Sequence, residues 1–370
     1  MMYWKSCECT YPNSKPVTAL STKSPRLELQ PLLATQPTFL DVRAEQEYAK
    51  GHFPNSINAP ILNNDERREV GTTYKQRGAD AAVLLGHKLV SGAVREQRIA
   101  TWQSICAEHD NVHIMCWRGG QRSGLAQQWL ADQGIKRPRI EGGFKTLRQQ
   151  SLEILSHPEK NFWLLSGRTG SAKTVIIKQL PNSIDLEGHA NHRGSAFGRR
   201  LTPQPSPVSF ECALTVDYLK HSKQNLVVED ESRTIGSVGL PERWHQSMQQ
   251  ADIALLEVDI EQRISHIEAE YVDQALHEAE QHGLTPEDLH QRYHSALLRI
   301  GKRLGGVRLQ TLQKRLTQAF TGQASHRAWI DYLLREYYDP MYDYQLSKKQ
   351  QRIRTRGGAE EVTAFLQQLP

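Results

Sequence analysis

The stretch His113-Ile114-Met115-Cys116-Trp117-Arg118-Gly119-Gly120-Gln121-Arg122-Ser123 decides how the first part of this chain is read. The apolar run Val112 to Met115 predicts a buried strand. Leu125, Ala126, Trp129 and Leu130 then recur at helical spacing before Gly134, where a helix would stop. Between them, one cysteine, two glycines, two arginines and a serine form a tight loop leading into a helix N-terminus. Backbone N–H groups of such a loop converge into an anion cradle, and the helix end adds partial positive charge. Arg118 and Arg122 can add full charges. All three effects favour thiolate, so Cys116 is expected to ionise more readily than a free cysteine, whose pKa is about 8.5. Cys116 is the candidate nucleophile, and Trp117, Arg118, Gly119, Gly120, Gln121, Arg122 and Ser123 form the candidate anion loop. The alternative for a lone cysteine is an inert, buried one.

A chain of 370 residues favours two domains. Hydrophobic residues at 38% and charged residues at 24% exclude a disordered chain. The net charge of +5 admits a polyanion such as RNA without requiring one. Cys7, Cys9, Cys106, Cys116 and Cys212 are odd in number and irregular in spacing, which suggests no disulfide framework and a reducing compartment. Cys7 and Cys9 lack a second pair to complete a zinc site and read as an inert tail. With no signal pattern and no membrane-length apolar run, a cytoplasmic protein without membrane contact is expected.

Residues 1–25, rich in Ser, Thr, Pro and Lys, read as a flexible lead-in. Thr38-Phe39-Leu40-Asp41-Val42-Arg43 predicts a short strand with a polar end. Ala44 to Lys50 predicts a short helix closed by Gly51, and His52 to Pro60 a loop, a strand and a loop. Residues 63–110 are helical by pattern, with Trp102, Ile105 and Cys106 as a core face. Ile140-Glu141-Gly142-Gly143-Phe144 predicts a turn before a linking helix. Alternating strands and helices imply an α/β fold with a parallel sheet and flanking helices, its active loop at a strand's carboxyl end. The expected domains are residues 26–152 and 153–370.

In the second domain, Asn161-Phe162-Trp163-Leu164-Leu165 predicts a buried strand. It runs into Ser166-Gly167-Arg168-Thr169-Gly170-Ser171-Ala172-Lys173-Thr174, and Val175 to Leu180 continue as a helix that Pro181 ends. Strand, Gly-rich loop, Lys-Thr and helix make the context of a P-loop in an α/β domain of the NTPase type. Backbone N–H groups of Gly167 to Thr174 would wrap a diphosphate, Lys173 would neutralise it, and Thr174 could hold Mg²⁺. The pattern asks for Gly where Ala172 stands; a methyl is harmless there at negative φ and strained at positive φ.

Leu226-Val227-Val228-Glu229-Asp230-Glu231 predicts a buried strand ending in carboxylates, with Glu229 and Asp230 as Walker-B-like candidates. Gly188 to Arg200 is a basic, Gly-rich loop. Its His192, Arg193, Arg199 and Arg200 suit RNA phosphate contacts, and its one ring, Phe197, suits base stacking. From about Glu261 to Gln323 the pattern is helical, with Arg299, Lys302, Arg303, Arg308, Lys314 and Arg315 concentrating positive charge as an RNA groove or a solvated face. Tyr337, Tyr338, Tyr342 and Tyr344 are expected to pack the end of this helical, basic extension.

Leu40-Asp41-Val42-Arg43, Gly51-His52-Phe53-Pro54 and the Cys116 loop resemble a rhodanese domain, the fold of sulfurtransferases, in which the loop cysteine carries a persulfide. Asp41 and Arg43 would there support the loop from beneath. The C-x5-R spacing of Cys116 and Arg122, followed by Ser123, also resembles cysteine-dependent phosphatases and implies a phosphate-sized anion.

With Asn63-Asn64-Asp65-Glu66-Arg67, Gly86-His87-Lys88-Leu89-Val90, Asp185-Leu186-Glu187-Gly188, His192-Arg193-Gly194-Ser195-Ala196-Phe197-Gly198 and Glu336-Tyr337-Tyr338-Asp339-Pro340-Met341-Tyr342, residues 27 to 350 resemble the bacterial tRNA 2-selenouridine synthases. Ala172 departs from that family's usual Gly. The resemblance implies conversion of wobble 2-thiouridine in tRNA to 2-selenouridine through an S-geranyl intermediate. Geranyl diphosphate would sit at the P-loop, selenophosphate at the Cys116 loop, and Cys116 would carry selenium. No tightly bound cofactor is implied beyond Mg²⁺ at Thr174; tRNA is the partner and a selenophosphate synthetase the source of donor. The residues also admit a C-x5-R phosphatase or a generic sulfurtransferase with an attached nucleotide-binding domain, and a non-catalytic, ATP-dependent RNA-binding module.

Overall fold

The computed structural model describes residues 29–35 and 37–370, so the expected lead-in, with Cys7 and Cys9, lies outside the described residues. The first sheet joins β1 (Thr38–Asp41), β2 (Ser56–Asn58) and β3 (Val112–Met115) in the order β2-β1-β3, all parallel. Leu40 pairs with Ile57 on one side and Ile114 on the other. β3 is buried along its whole length, as a strand covered by helices on both faces must be.

The helices Asn64–Leu89 and Gly92–Glu108 cover one side. The first starts at a capping box in which the Asn63 side chain accepts from the Glu66 N–H and the Glu66 carboxylate accepts from the Asn63 N–H. Trp102 is fully buried and donates its indole N–H to the Ala59 carbonyl at 2.9 Å.

Beyond the helix Gly143–Ser156, in which the expected domain boundary falls, the strands are β4 (Asn161–Gly167), β5 (Ser183–Ile184), β6 (Asn225–Glu229), a small antiparallel ribbon of β7 (Thr234–Ile235) and β8 (Val238–Gly239), then β9 (Asp252–Leu256) and β10 (Ile353–Gly357). The second sheet is parallel, in the order β10-β9-β4-β6-β5. β4 lies at its centre, so the loop that follows β4 emerges at the carboxyl edge, flanked by the ends of β6 and β9. β10 was not foreseen. Ile353-Arg354-Thr355-Arg356-Gly357 alternates half-buried with exposed residues, and its exposed arginines suit an edge strand.

Two helices tie the sheets together. Phe144 and Leu147 of Gly143–Ser156 and Cys212 and Val216 of Pro207–Lys220 share one apolar cluster with Phe39, Phe53 and Met115. Arg148 pairs with Glu211 across it, and the His52 N–H donates to Ser209 Oγ at 3.1 Å. The helices between Ile260 and Ser347 form a separate core containing Tyr271, Tyr293, Leu312 and Trp329. Tyr337 and Tyr338 pack into that core, whereas Tyr344 is exposed. Among the described residues no helix is long and apolar enough to cross a membrane.

Candidate functional site

Cys116 follows β3 directly, and the helix Gln121–Asp132 begins four residues beyond the loop's Trp117. Cys116 is only 3% exposed, and its Sγ lies 3.2 Å from Ser123 Oγ, which itself donates to the Gly120 carbonyl. The loop is braced from below: the N–H groups of Phe144 and Lys145 donate to the carbonyls of Cys116 and Trp117, both at 2.9 Å. This brace demands glycine. Gly119 and Gly143 have φ of +64° and +59°, and a Cβ on Gly143 would lie 2.2 Å from the Cys116 carbonyl oxygen.

Beneath the brace, Asp41 and Arg43 are fully buried and paired at 2.6 Å. Arg43 also donates to the Gly51 carbonyl at 2.9 Å, and its guanidinium lies 4.0 Å from the Phe144 ring centroid. Both residues support the loop and neither touches the sulfur. Cys106 and Cys212 are buried thiols pushed up by burial, Cys212 to about 12, so neither is a nucleophile near neutrality.

The expected charging of the cradle by two arginines is corrected. Arg122 donates to both oxygens of Glu47, at 2.5 and 3.1 Å, and Arg67 approaches the same carboxylate. Burial opposes ionisation of Glu47, but Arg122 outweighs it and holds the carboxyl below its ordinary range. The Arg122 charge is thus countered from the short helix Glu45–Ala49, a contact with no local signal in the sequence. Arg118 and Trp117 are exposed at the rim. The helix N-terminus and the loop N–H groups add partial positive charge at the cradle, and Arg122, though countered by Glu47, still interacts with Cys116.

The second loop runs from β4 through Gly167 to Ala172 and into the helix Lys173–Gln179. Lys173 Nζ donates to the Gly167 carbonyl at 2.9 Å, laying the ammonium across the loop. Thr174 Oγ1 donates to Glu187 Oε2 at 3.3 Å, and Ser171 Oγ is buried without a partner. Arg168 turns outward to Asp343, at 2.8 to 3.0 Å. Arg263 pairs with Asp339 through two 2.7 Å bonds and reaches the Thr169 carbonyl, so two helices clamp the loop.

Ala172 has φ of +58°, which answers the question its methyl raised. The left-handed conformation costs a non-glycine residue roughly 1–2 kcal/mol, partly offset in glycine by its larger unfolded entropy. Ala172→Gly is expected to raise the unfolding free energy by about 0.5–1 kcal/mol in denaturant titration. An unchanged or lower midpoint would show that the loop carries no strain there.

The Walker-B-like candidates are reassigned. Glu229 is fully buried and its Oε2 accepts from the Leu186 N–H at 3.0 Å; burial raises its pKa, with Asp185 and Glu187 adding to the effect. Asp230 is held by Lys349 at 2.6 Å and by Ser166 at 2.7 Å. The carboxylates at the phosphate loop are instead Glu187 and Glu231. They flank Gly194 so closely that a Cβ there would lie 2.3 Å from Glu187 Oε1 and 2.7 Å from Glu231 Oε1. Glu187 stands in the Asp185-Leu186-Glu187-Gly188 motif, where Asp185 caps a short helix and thereby aims it. Burial raises Glu187, with Lys173 working against it. Burial and then the Glu187 charge push Glu231 up to about 8.

Because the folded-state pKa of Glu231 lies above an unfolded value of about 4.3, the folded chain binds more protons in between. Stability therefore falls as pH rises from about 4 through about 8. Glu231→Gln is expected to raise unfolding free energy by about 1–2 kcal/mol at pH 8 and hardly at all at pH 5. An equal effect at both pH values would break the pairing argument.

Among the described residues, no group of three or more His, Cys, Asp or Glu is arranged as a metal site. The Thr174 hydroxyl beside one or two carboxylates is nevertheless a hard-oxygen set that fits Mg²⁺ carried in on phosphates.

The basic loop is also corrected. His192 and Arg193 are buried; Arg193 pairs with Glu270 at 2.8 Å and lies over the Tyr271 ring. Phe197 is buried against Trp329 and Tyr293 and offers no face to a base. Arg199 remains exposed and Arg200 partly so. Arg292 donates to the Arg200 carbonyl and Arg299 to the Ala196 carbonyl, which places them beside it. With Lys302 and Arg303 exposed on the same helix, these cations form no ion pair among the described residues. Burial and then the neighbouring Arg199 lower the Arg292 pKa, a mark of crowded like charge.

Comparison with known proteins matches residues 26–150 to a rhodanese-like domain and residues 160–369 to the tRNA 2-selenouridine synthase AAA domain. A tRNA 2-selenouridine synthase from Marinobacter nauticus is 46% identical over 88% of this chain and 93% of its own length. Proteins of the same name from Pseudomonas paraeruginosa and Sulfurovum sp. are 45% and 41% identical, over 89% and 92% of this chain and 93% and 97% of their own lengths.

Proposed function

The chain belongs to the tRNA 2-selenouridine synthase family, and from that premise we propose that it exchanges sulfur for selenium in tRNA wobble 2-thiouridine by alkylation and displacement. The observation that carries this reading is the presence of two phosphate-sized loops in one chain. One holds a sulfur, and the other holds an ammonium beside a carboxyl pair.

In the first step the P-loop holds geranyl diphosphate. The thione sulfur of the tRNA attacks C1, an S–C bond forms, and the C–O bond breaks with its electron pair leaving on diphosphate. Lys173 offsets the charge developing on that leaving group. The base's N3 proton is released, and the Glu187–Glu231 pair is assigned to accept it. Mg²⁺ at Thr174 would add charge neutralisation when bound. Alkylation makes the sulfur a better leaving group.

In the second step the Cys116 loop holds selenophosphate. An S-selanyl form of Cys116 would require the removal of two electrons, because selenium in selenophosphate is already fully reduced. Attack of the Cys116 thiolate at phosphorus balances without an oxidant: the S–P bond forms, the P–Se bond breaks, and hydroselenide leaves with the pair. Hydroselenide adds to C2 of the alkylated base and geranylthiolate departs, taking a proton. Water then cleaves the phosphocysteine to phosphate and thiol. The C-x5-R spacing and the Ser123 hydroxyl at 3.2 Å suit a phosphoryl group.

Arg199, Arg200, Arg292, Arg299, Lys302 and Arg303 are assigned to tRNA phosphates, and His192 and Arg193 to holding that loop in place. A selenophosphate synthetase supplies the donor, in the cytoplasm.

The test is mass spectrometry of nucleosides from tRNA incubated with the protein, geranyl diphosphate and selenophosphate, omitting each reagent in turn. S-geranyl-2-thiouridine should accumulate without selenophosphate, and no selenouridine should form without geranyl diphosphate. Selenouridine formed without it would sink the two-step order. Rapid hydrolysis of a generic aryl phosphate with unmodified tRNA would favour the phosphatase alternative.

A further inference from the structure

Trp117 follows Cys116 directly, yet the two side chains part. Cys116 is buried, whereas Trp117 is 40% exposed. Trp102, Trp129, Trp244 and Trp329 are buried and Trp163 is half-buried, so Trp117 is the one exposed tryptophan among the described residues. An indole left in water forgoes the large area that a core tryptophan buries. Its exposure is not slack. The Trp117 carbonyl accepts from the Lys145 N–H at 2.9 Å, and the ring lies 5.7 Å from the Phe144 ring, inclined by 31°. Phe144 is buried and is itself held by the Arg43 guanidinium at 4.0 Å and by Phe53 edge-on. The indole is therefore backed by fixed core on one side and open to solvent on the rest.

Arg118 comes next and is exposed, and Lys145, whose N–H holds the Trp117 carbonyl, is exposed as well. Neither forms an ion pair among the described residues. A small anion gains nothing from an aromatic face, whose quadrupole is negative. A single-stranded nucleotide gains from both parts of this rim: its base stacks on the ring and its phosphate meets the free guanidinium. The second step also asks for a base here, because hydroselenide released beside Cys116 has to meet C2 before it diffuses away.

We propose that Trp117 is the platform on which the alkylated wobble base of tRNA stacks while selenium is delivered, and that Arg118 holds an adjoining phosphate. This rests on the reading that the Cys116 loop performs the second step. The loop's backbone reads the selenium donor, and the two side chains at its rim read the acceptor.

The experiment measures selenation of ready-made S-geranyl-tRNA by the full-length protein at saturating selenophosphate, together with the phosphoryl mass gain on Cys116 from selenophosphate alone. Trp117→Ala should raise KM for the tRNA by about tenfold or more and change kcat less. Trp117→Phe keeps a ring and should stay within about threefold of wild type, whereas Trp117→Leu, apolar but without a π face, should fall with the alanine variant. Arg118→Ala should weaken the tRNA step and lower the slope of log KM against log salt by about one. The mass gain should persist in every variant. A Trp117→Leu protein with the wild-type KM would show that the ring meets the alkyl group and not the base, and a Trp117→Ala protein with the wild-type KM that it meets neither; each overturns the proposal. Loss of the mass gain in Trp117→Ala would assign the ring to supporting the loop and overturn it too. If wild type gains no phosphoryl mass and Cys116→Ser selenates normally, it is the underlying reading of the Cys116 loop that fails.

Discussion

Cys116→Ser protein is expected to lose selenation by about 10³-fold or more while alkylating tRNA within about twofold of wild type. Oxygen for sulfur is a small change in volume, and Ser123 Oγ, now 3.2 Å from the sulfur, can hydrogen-bond the new hydroxyl. The brace from Phe144 and Lys145 engages only backbone carbonyls of the loop, so it survives. What disappears is the sulfur nucleophile, for which a serine hydroxyl is a far weaker substitute. On the proposed reading alkylation continues, because the phosphate loop assigned to it follows β4 in the other sheet. Nucleoside analysis should show S-geranyl-2-thiouridine accumulating and no selenouridine. Selenouridine at normal yield would remove Cys116 from the chemistry. A second readout separates the two covalent forms: intact wild-type protein quenched in selenophosphate should gain the mass of one phosphoryl group on Cys116, and a gain of one selenium atom would overturn attack at phosphorus.

The parts of this architecture that local pattern encodes were legible. Val112 to Met115 and Asn161 to Leu165 are unbroken apolar runs followed by glycine-rich loops; the first became a fully buried outer strand of one parallel sheet, the second the central strand of the other. The likeness of both loops to known domains carried the family. What could not be read was pairing across the chain. Nothing near Arg122 announces Glu47, 75 residues away, and that one contact counters a charge of the cradle. Nothing near Asp230 announces Lys349, 119 residues away, which takes the carboxylate that a strand-end pattern favours. The basic loop misled for a related reason. Composition makes His192, Arg193 and Phe197 look like an RNA surface, but Glu270 and the Trp329 core bury them. Ala172 is the reverse case. Its identity flagged a decision about φ that only the backbone could make, and the answer is the strained one.

Lys173→Ala should slow alkylation by about 10²–10³-fold and leave the Cys116 reaction untouched when S-geranyl-tRNA is supplied ready-made. Two effects add. The first is direct: the ammonium lies across the phosphate loop, on the Gly167 carbonyl at 2.9 Å, where on the proposed reading it would meet the charge growing on departing diphosphate. Losing one such charge-assisted contact in a transition state is worth about 3–4 kcal/mol. The second acts through the carboxyl pair. Lys173 is the cation that works against the burial of Glu187 and Glu231, so without it both should hold their protons to higher pH. A pair that stays protonated cannot accept the N3 proton, so the variant's alkylation rate should climb with pH beyond the point where wild type levels off. Lys173→Arg keeps the charge and should restore that plateau even where its bulk limits the rate. A Lys173→Ala protein that alkylates at wild-type speed, with an unshifted pH profile, would show that the diphosphate leaves from somewhere other than this loop.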